Sequence, residues 1–275
     1  MKKILVTGST GLLGRNLVRH LRACGHYIVT LARSEKAEFQ MDLTNREKVI
    51  ELFDHIQPEI IVNLAGLTNV ELCQEKINEA YLANTQTVEN LVHWIRKPAV
   101  DCHLIQISSD HLYDGKGPHL EDCVTLTNNY AFSKYSGELA ASLLPSTILR
   151  TNFIGLSKTA NRKSMTDWVY SSLKNNKSIK VFDDVYFSPL SIATLSEMID
   201  LVIEQKPVGI FNLGSRNGMS KADFDFEFAK CLGLQTNTMS RVSIDEVTFI
   251  KTRRPKDMRM NSRKFEEMFK LTLPD

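Results

Sequence analysis

Tyr130 and Lys134 stand four residues apart in the run Asn129-Tyr130-Ala131-Phe132-Ser133-Lys134. On a helix that spacing puts both side chains on one face. A free phenol, with a pKa of about 10, is a poor base at neutral pH, and a neighbouring ammonium favours its ionised form. Such a pair can pass a proton to or from an oxygen while a nicotinamide handles the hydride. The spacing alone is common by chance. It gains weight because Ser108-Ser109-Asp110 closes an apolar run at 103–108, upstream of the pair. In open α/β sheets the carboxyl ends of the strands are where ligands bind. Ser109 is therefore the candidate for a hydrogen bond to a substrate carbonyl, with Ser108 read as a turn residue.

A second constellation lies at the start of the chain, in Thr7-Gly8-Ser9-Thr10-Gly11-Leu12-Leu13-Gly14. Glycines let a backbone approach a pyrophosphate, and a helix N-terminus adds N–H donors and positive potential. The spacing is G-x-x-G-x-x-G, and its place between an apolar run at 3–7 and helical spacing at 12–24 makes it specific. A site selective for NAD usually has an acid after the second strand. Here that strand, 27–32, leads into Arg33-Ser34. A guanidinium and a hydroxyl suit a 2′-phosphate, so NADPH is the expected cofactor and NADH the alternative. The plain reading of Arg33 is a solvated surface residue.

These groups need a scaffold, and the chain's periodicity describes one. Apolar runs at 3–7, 27–32, 59–64, 103–108 and 147–151 read as strands. Helices are expected at 12–24, from a Thr44-x-x-Glu47 capping box to about Ile56, over 78–96 and over 130–144. A weaker helix is expected at 165–173, then a helix at 191–205 and a strand at 208–213. The alternation predicts an α/β fold, a Rossmann-type doubly wound parallel sheet. Residues 1–155, completed by about 185–215, form the expected cofactor domain. Residues 156–184 and 216–275 form a smaller, mixed substrate lobe.

The composition, 43% hydrophobic and 24% charged, is that of an ordinary globular chain. A net charge of +2 argues against nucleic acid as partner. Five scattered cysteines form no C-x-x-C pair. They point away from a disulfide framework and a thiolate zinc site, so no metal is expected and a cytoplasmic location is. No apolar stretch reaches the roughly 20 residues that span a bilayer.

The glycine loop, Asn63-Leu64-Ala65-Gly66, Asn84, Ser109 and Tyr130-x-x-x-Lys134 occur in the order of the extended short-chain dehydrogenases/reductases. Within that superfamily the chain resembles the dTDP-4-dehydrorhamnose reductase group. Ser108 to Gly115 (SSDHLYDG), Arg150-Thr151-Asn152 and Arg254-Pro255-x-Asp257 carry the resemblance. It implies reduction of a keto group on a nucleotide-linked deoxysugar. Tyr130 would give the proton, and Lys134 would bind the nicotinamide ribose and lower the tyrosine pKa. Ser109 would orient the carbonyl and Asn84 would help to place the lysine. Gly8, Gly11 and Gly14 would hold the pyrophosphate, with Thr10, Leu12, Leu13, Ala65 and Gly66 around the dinucleotide and Asp42 and Leu43 bordering the adenine. Ala131 and His111 depart from the group's usual residues. An epimerase or dehydratase of the same superfamily and a non-catalytic NAD(P)-binding subunit are the alternatives, and a homodimer is compatible with all three.

On the substrate side, Asn152 and Arg254 are candidates, with His111 two residues beyond Ser109. An unperturbed histidine, with a pKa of about 6.5, can donate or accept near neutral pH. It could equally pack or face solvent. Lys251, Arg253, Arg254, Lys256, Arg259, Arg263 and Lys264 cluster late in the chain. They would serve a diphosphate or form a solvated face with salt bridges. Arg254 sits evenly between those readings.

Overall fold

Apolar runs that end in small or polar residues, each followed by a helix with one apolar stripe, build the first half of the molecule. The computed structural model describes residues 1–33, 36–157 and 164–275. In chain order come β1 (Lys3–Thr7), α1 (Leu12–Ala23), β2 (Tyr27–Ala32), β3 (Phe39–Gln40), α2 (Arg46–Ile56), β4 (Ile60–Asn63), α3 (Val70–Glu75), α4 (Ile77–Tyr81), α5 (Thr87–Ile95), β5 (His103–Ile107), α6 (Asn129–Ala141) and β6 (Thr147–Thr151). The second half adds β7 (Phe153–Ile154), α7 (Met165–Lys174), β8 (Ile179–Phe182), β9 (Tyr186–Phe187), β10 (Leu190–Ser191), α8 (Ile192–Gln205), β11 (Gly209–Leu213), β12 (Met219–Ser220), α9 (Lys221–Cys231), β13 (Met239–Val242) and α10 (Arg263–Phe269).

Seven strands form one sheet in the order β11-β6-β5-β4-β1-β2-β3, and every pairing is parallel. This is the expected Rossmann-type doubly wound sheet. Successive residues of a strand face opposite layers. Ile4, Val6, Ile60 and Val62 pack on one side with α1 and α8, while Leu5 and Ile61 join Phe53 and Trp94 on the other. The strand order reverses between β1 and β4, and the crevice beyond their carboxyl ends is where such sheets bind ligands.

The smaller lobe has its own core. β8 pairs with β13 in parallel, β9 pairs with β12 antiparallel, and Val169, Val181 and Ala222 are buried between them and the helices α7 and α9. Residues 216–275 do not all belong there, in contrast to the sequence expectation. α10 returns to the large sheet, where Phe265 meets Phe211 of β11 edge-on at 6.3 Å and Leu273 joins the same core. β11 is an edge strand, and an apolar helix laid on an edge strand shields it.

Two local expectations are corrected. The second helix is capped by Asn45, not Thr44: the Asn45 side chain accepts the Lys48 N–H at 3.0 Å. Asparagine is a stronger N-cap than threonine. The single helix expected over 78–96 is instead α4, a π-helical turn at Leu82–Gln86, and α5. In the π turn the Thr87 N–H reaches back to the Leu82 carbonyl. Such a turn inserts one residue into a helix and is frequent at functional sites.

Candidate active site

A chain of buried polar side chains crosses the sheet at the switch point. Thr7 Oγ1 donates to Asn63 Oδ1 at 2.5 Å, and Asn63 Nδ2 donates to Gln106 Oε1 at 2.7 Å. The N–H groups of Leu64 and Ala65 point to Thr7 Oγ1 at 3.2 Å. Adjacent strand ends are thereby locked together, and the loops that leave them are held close.

The glycine loop is built for close approach. Gly8 has φ +61°, and a Cβ there would lie 2.9 Å from the Leu64 carbonyl oxygen. A Cβ on Gly14 would come within 2.4 Å of the Gly8 carbonyl oxygen. The Gly11 N–H bonds the Gly8 carbonyl at 2.9 Å. Gly11 then starts α1 with no side-chain cap and no acid in the first turn. Uncapped N–H groups at a helix start favour an anion, so the loop fits the pyrophosphate of a dinucleotide.

The other expected cofactor residues fall on several elements. Thr10, Leu12 and Leu13 lie in the glycine loop or open α1, and the Thr10 carbonyl accepts Arg15 Nε at 2.9 Å. Arg33 is exposed just past β2. Its expected companion Ser34 lies outside the described residues. Asp42 is exposed, with Oδ1 accepting the Thr44 N–H at 3.0 Å, and Leu43 is buried, with its carbonyl accepting Asn90 Nδ2 at 2.8 Å. Gly66 has no room for a side chain, because a Cβ would sit 2.7 Å from Asn84 Oδ1 and 4.0 Å from Lys134 Nζ.

Tyr130 and Lys134 lie on one helix, and Ser109 lies at the end of β5 beside it. Tyr130 and Lys134 share the buried face of α6, with Ser109 near enough to the Tyr130 hydroxyl to act on its pKa. Ser109 Oγ also donates to Asp110 Oδ1 at 3.3 Å and accepts the His111 N–H at 3.2 Å. Lys134 Nζ donates to the Ile107 carbonyl at 2.7 Å. Burial pushes the Lys134 ammonium down to about 8, with Glu138 opposing. Burial pushes the Tyr130 phenol up to about 12, with Ser109 opposing. The expectation that Lys134 lowers the tyrosine pKa is thus corrected: desolvation dominates, the lowering comes from Ser109 and not from Lys134, and the phenol stays protonated.

Asn84 occupies the π turn, and the turn explains its reach. Its Oδ1 accepts the Leu67 N–H at 2.8 Å, while its Nδ2 donates to the Leu67 carbonyl at 3.0 Å and to Ser133 Oγ at 2.9 Å. Ser133 Oγ in turn donates to the Tyr130 carbonyl at 2.9 Å. A Cβ on Gly137 would be 2.3 Å from the Asn84 carbonyl oxygen, so that glycine lets α6 press against the turn. Asn84 ties the loop after β4 to the helix that carries Tyr130 and Lys134.

Residues from the ends of β5 and β6, from α9 and from the late segment surround Tyr130 and Asp110. His111 stacks edge-on against Tyr130. Burial first, then Lys221 and Arg254, push the His111 imidazole down to about 3. A histidine that titrates near neutral pH is therefore not what this site contains. Asp110 is displaced toward the neutral range, raised by burial to about 6 against the pull of Asn152 and Lys221. Asn152 Nδ2 donates to Asp110 Oδ2 at 2.7 Å. Arg254 pairs with Glu71 of α3 at 2.8 Å. The remaining basic residues are mostly bound to acids: Arg253 to Asp114, Lys256 to Asp184 and Asp245, Arg259 to Asp257, Arg263 to Glu267. They behave as structural ion pairs rather than as an anion site.

Lys221, Asp225 and Cys73 escaped the sequence reading. Lys221 opens α9 and lies near enough to Asp110, Asp225 and Arg254 to perturb them or be perturbed. Asp225 is raised by burial to about 7, and its Oδ1 has no hydrogen-bond partner. Cys73 is wholly buried beside Tyr130 and Leu67. The one linear hint was the Ser220-Lys221-Ala222-Asp223 helix start, which by itself reads only as a cap.

A family model described as RmlD substrate binding domain matches residues 1–275. The spore coat polysaccharide biosynthesis protein SpsK of Bacillus subtilis is 28% identical over 272 residues, covering 97% of this chain and 92% of SpsK. The dTDP-4-dehydrorhamnose reductase of Shigella flexneri is 29% identical over 287 residues, covering 99% of this chain and 93% of that enzyme. A crystal structure of dTDP-4-dehydrorhamnose reductase from Bacillus anthracis in complex with NADP superposes with a TM-score of 0.89 at 24% identity, covering 100% of this chain and 96% of that one. That structural likeness establishes the fold.

Proposed function

The chain belongs to the RmlD substrate binding domain family, and from that membership we propose that it is an NADPH-dependent oxidoreductase reducing a keto group on a nucleotide-activated deoxysugar. The observation that carries this reading is Tyr130 set beside Ser109 at the carboxyl end of β5, with Lys134 one turn further along α6. The name of the Shigella flexneri relative supports the substrate class.

NADPH would lie with its pyrophosphate at Gly8, Gly11 and Gly14, its 2′-phosphate at Arg33, and its adenine near Asp42 and Leu43. When bound, it supplies the hydride for the keto carbon. The protein's own residues manage the oxygen and the proton. Ser109 holds the carbonyl oxygen by a hydrogen bond. Tyr130, kept protonated by burial, gives that oxygen its proton. Lys134 presents an ammonium to the ribose, and Asn84 holds the loop at Leu67 against α6 so that the lysine keeps its place. His111, Asn152 and Arg254 form the substrate wall.

Five free cysteines support a reducing, cytoplasmic setting. Phe132, Leu139 and Leu143 lie exposed along α6 and just beyond it, which supports a homodimer through that face. Among the described residues no helix is long and apolar enough to cross a membrane.

Purified protein incubated with NADPH and a panel of nucleotide-linked 4-keto-6-deoxysugars tests the proposal. Stoichiometric NADPH oxidation with one sugar product is expected. A tightly retained dinucleotide with no net NADPH consumption would identify an epimerase or dehydratase instead. Dinucleotide binding with no turnover of any sugar would leave a non-catalytic binding subunit.

A further inference from the structure

The face of the sheet that carries α1 and α8 holds a second cluster of donor atoms, built from residues the proposed reaction does not use. His20 lies in the last turn of α1, and Cys24 follows one turn later as that helix's C-cap. Asp200 projects from α8, which packs beside α1. His20 Nε2 stands 3.6 Å from Cys24 Sγ and 3.4 Å from Asp200 Oδ2. The three donor atoms all lie within 4.8 Å of one another.

We propose that His20 Nε2, Cys24 Sγ and Asp200 Oδ2 form a binding site for a thiophilic divalent cation of the zinc type. Zinc binds imidazole nitrogen and carboxylate oxygen at about 2.0–2.2 Å and thiolate sulfur at about 2.3 Å, so tetrahedral ligand edges span roughly 3.3–3.7 Å. Both edges at His20 Nε2, 3.6 Å and 3.4 Å, fall in that span. A nitrogen, a sulfur and a carboxylate oxygen are also a donor set zinc accepts. Cys24 is exposed and the other two ligands are half-buried, so water reaches the fourth position. The C-terminal end of α1 adds negative potential, which favours a cation there.

Asp200 is held for this role from its other side. His26 Nε2 lies 3.1 Å from Asp200 Oδ1, and the His26 side chain is only 9% exposed. A buried imidazole on the far oxygen of a ligating carboxylate fixes its orientation, as outer partners of metal ligands do. Glu204 also approaches His26, at 3.7 Å, but it is engaged by Lys2 at 2.9 Å and is not needed as a ligand. The ligands come from positions 20, 24 and 200, so a search for paired cysteines could not have found them.

Bound metal would staple α1, which carries the glycine loop at its other end, to α8. Cobalt and zinc are the probes. Chelator-treated protein titrated with Co²⁺ should develop a thiolate-to-cobalt charge-transfer band and tetrahedral d–d bands that saturate at one equivalent and vanish when Zn²⁺ is added. Cys24→Ser should abolish the thiolate band, which separates this site from the other exposed cysteines, Cys123 and Cys231. His20→Ala and Asp200→Asn should each weaken Zn²⁺ by about tenfold or more, and His26→Ala by less. Zn²⁺ should raise the Tm of the wild type and leave that of Cys24→Ser unchanged. Reduction of the sugar, if present, should persist in all four variants, so failure here and failure of the proposed reaction are separate results. Absence of the thiolate band in the wild type, or Zn²⁺ affinity unchanged in His20→Ala, would overturn the site and leave the cluster as an imidazole–carboxylate hydrogen-bond network.

Discussion

His111 meets Tyr130 edge-on, with ring centroids 5.3 Å apart and ring planes at 83°. The contact places an imidazole beside the group proposed to donate the proton, and its Nδ1 is buried without a partner. An unpaired buried donor or acceptor is costly, which suits an atom that a sugar hydroxyl would satisfy. Burial, Lys221 and Arg254 push the imidazole down to about 3, so it is neutral at every working pH. His111→Ala should therefore raise the KM for the nucleotide sugar by about tenfold, a loss of roughly 1.4 kcal/mol, and leave NADPH affinity unchanged. Steady-state kinetics checks this, together with the pH profile. An acidic limb near pH 6 should remain in the variant, because it belongs to Asp110. Its loss with His111 would show that the histidine titrates after all.

Tyr130 carries the reaction's proton in the proposed scheme. Tyr130→Phe should lower kcat by about 10²-fold or more, the usual worth of a positioned general acid. The phenol is buried and its ring stays in the variant, so NADPH should bind as in the wild type. Turnover and dinucleotide fluorescence measured side by side decide the matter. Unchanged turnover would remove Tyr130 from the mechanism.

Lys134 makes the cofactor site sensitive to pH. Burial lowers its ammonium to about 8, so the charge is present below that pH and is lost as pH rises through it. NADPH affinity should fall across the same interval, and Lys134→Met should show no such inflection. The stability sign is opposite. The unfolded chain keeps this proton up to about pH 10.4, so between about 8 and that value the unfolded state binds more protons and stability rises with pH. Holding the buried charge costs stability below about 8, and the methionine variant should melt higher than the wild type at pH 7. Isothermal titration and thermal melts across about pH 6–9.5 test both signs.

Arg33 stands exposed beyond β2, where a 2′-phosphate would lie. Arg33→Ala should weaken NADPH by about 1–3 kcal/mol, one charge-assisted hydrogen bond, and leave NADH nearly unaffected. Dissociation constants for both dinucleotides are the readout. Equal losses for the two would take the 2′-phosphate away from Arg33.

The cofactor half of the molecule could be read from sequence because its signals are local. Buried parallel strands are continuous apolar runs, and the glycines of the first turn sit at fixed offsets from one of them. Tyr130, Lys134 and Ser109 were likewise linear motifs on elements of evident type. The residues proposed for the substrate side follow a different logic. Lys221 acts on Asp110 across 111 positions of sequence because the fold brings the start of α9 near the end of β5, and no periodicity records that. The π turn at Asn84 needs one inserted residue, which leaves the apolar spacing almost unchanged. The basic tail left two readings open for a related reason. Its partners Asp114, Asp184 and Glu71 lie up to 183 residues away, so charges that look free in sequence are neutralised in the fold.

Behind the site, Arg150 and Glu138 form an ion pair whose side chains are each 1% exposed. Glu138 takes Arg150 Nε at 2.9 Å and Nη2 at 2.6 Å, while Nη1 donates to the Tyr113 hydroxyl at 2.8 Å and to the Glu121 carbonyl at 2.5 Å. Burial alone would lower the guanidinium pKa, but Glu138 and Tyr113 overcome it and raise it. Arg150 therefore stays charged, and its motif position beside Asn152 serves the fold rather than the substrate. Glu138→Gln removes the compensating charge from a buried cation, which should cost about 3–5 kcal/mol and lower the Tm by on the order of 10 °C. Arg150→Met should cost a similar amount by stranding the carboxylate, the tyrosine and the Glu121 carbonyl. The double variant strands no ion, so its loss should be smaller than the sum of the two single losses by at least about 1 kcal/mol. Denaturant unfolding of the four proteins measures that coupling directly. Strict additivity would mean that the pair's charges act independently, and the stabilisation of β6 against α6 would then have to come from the apolar contacts around them.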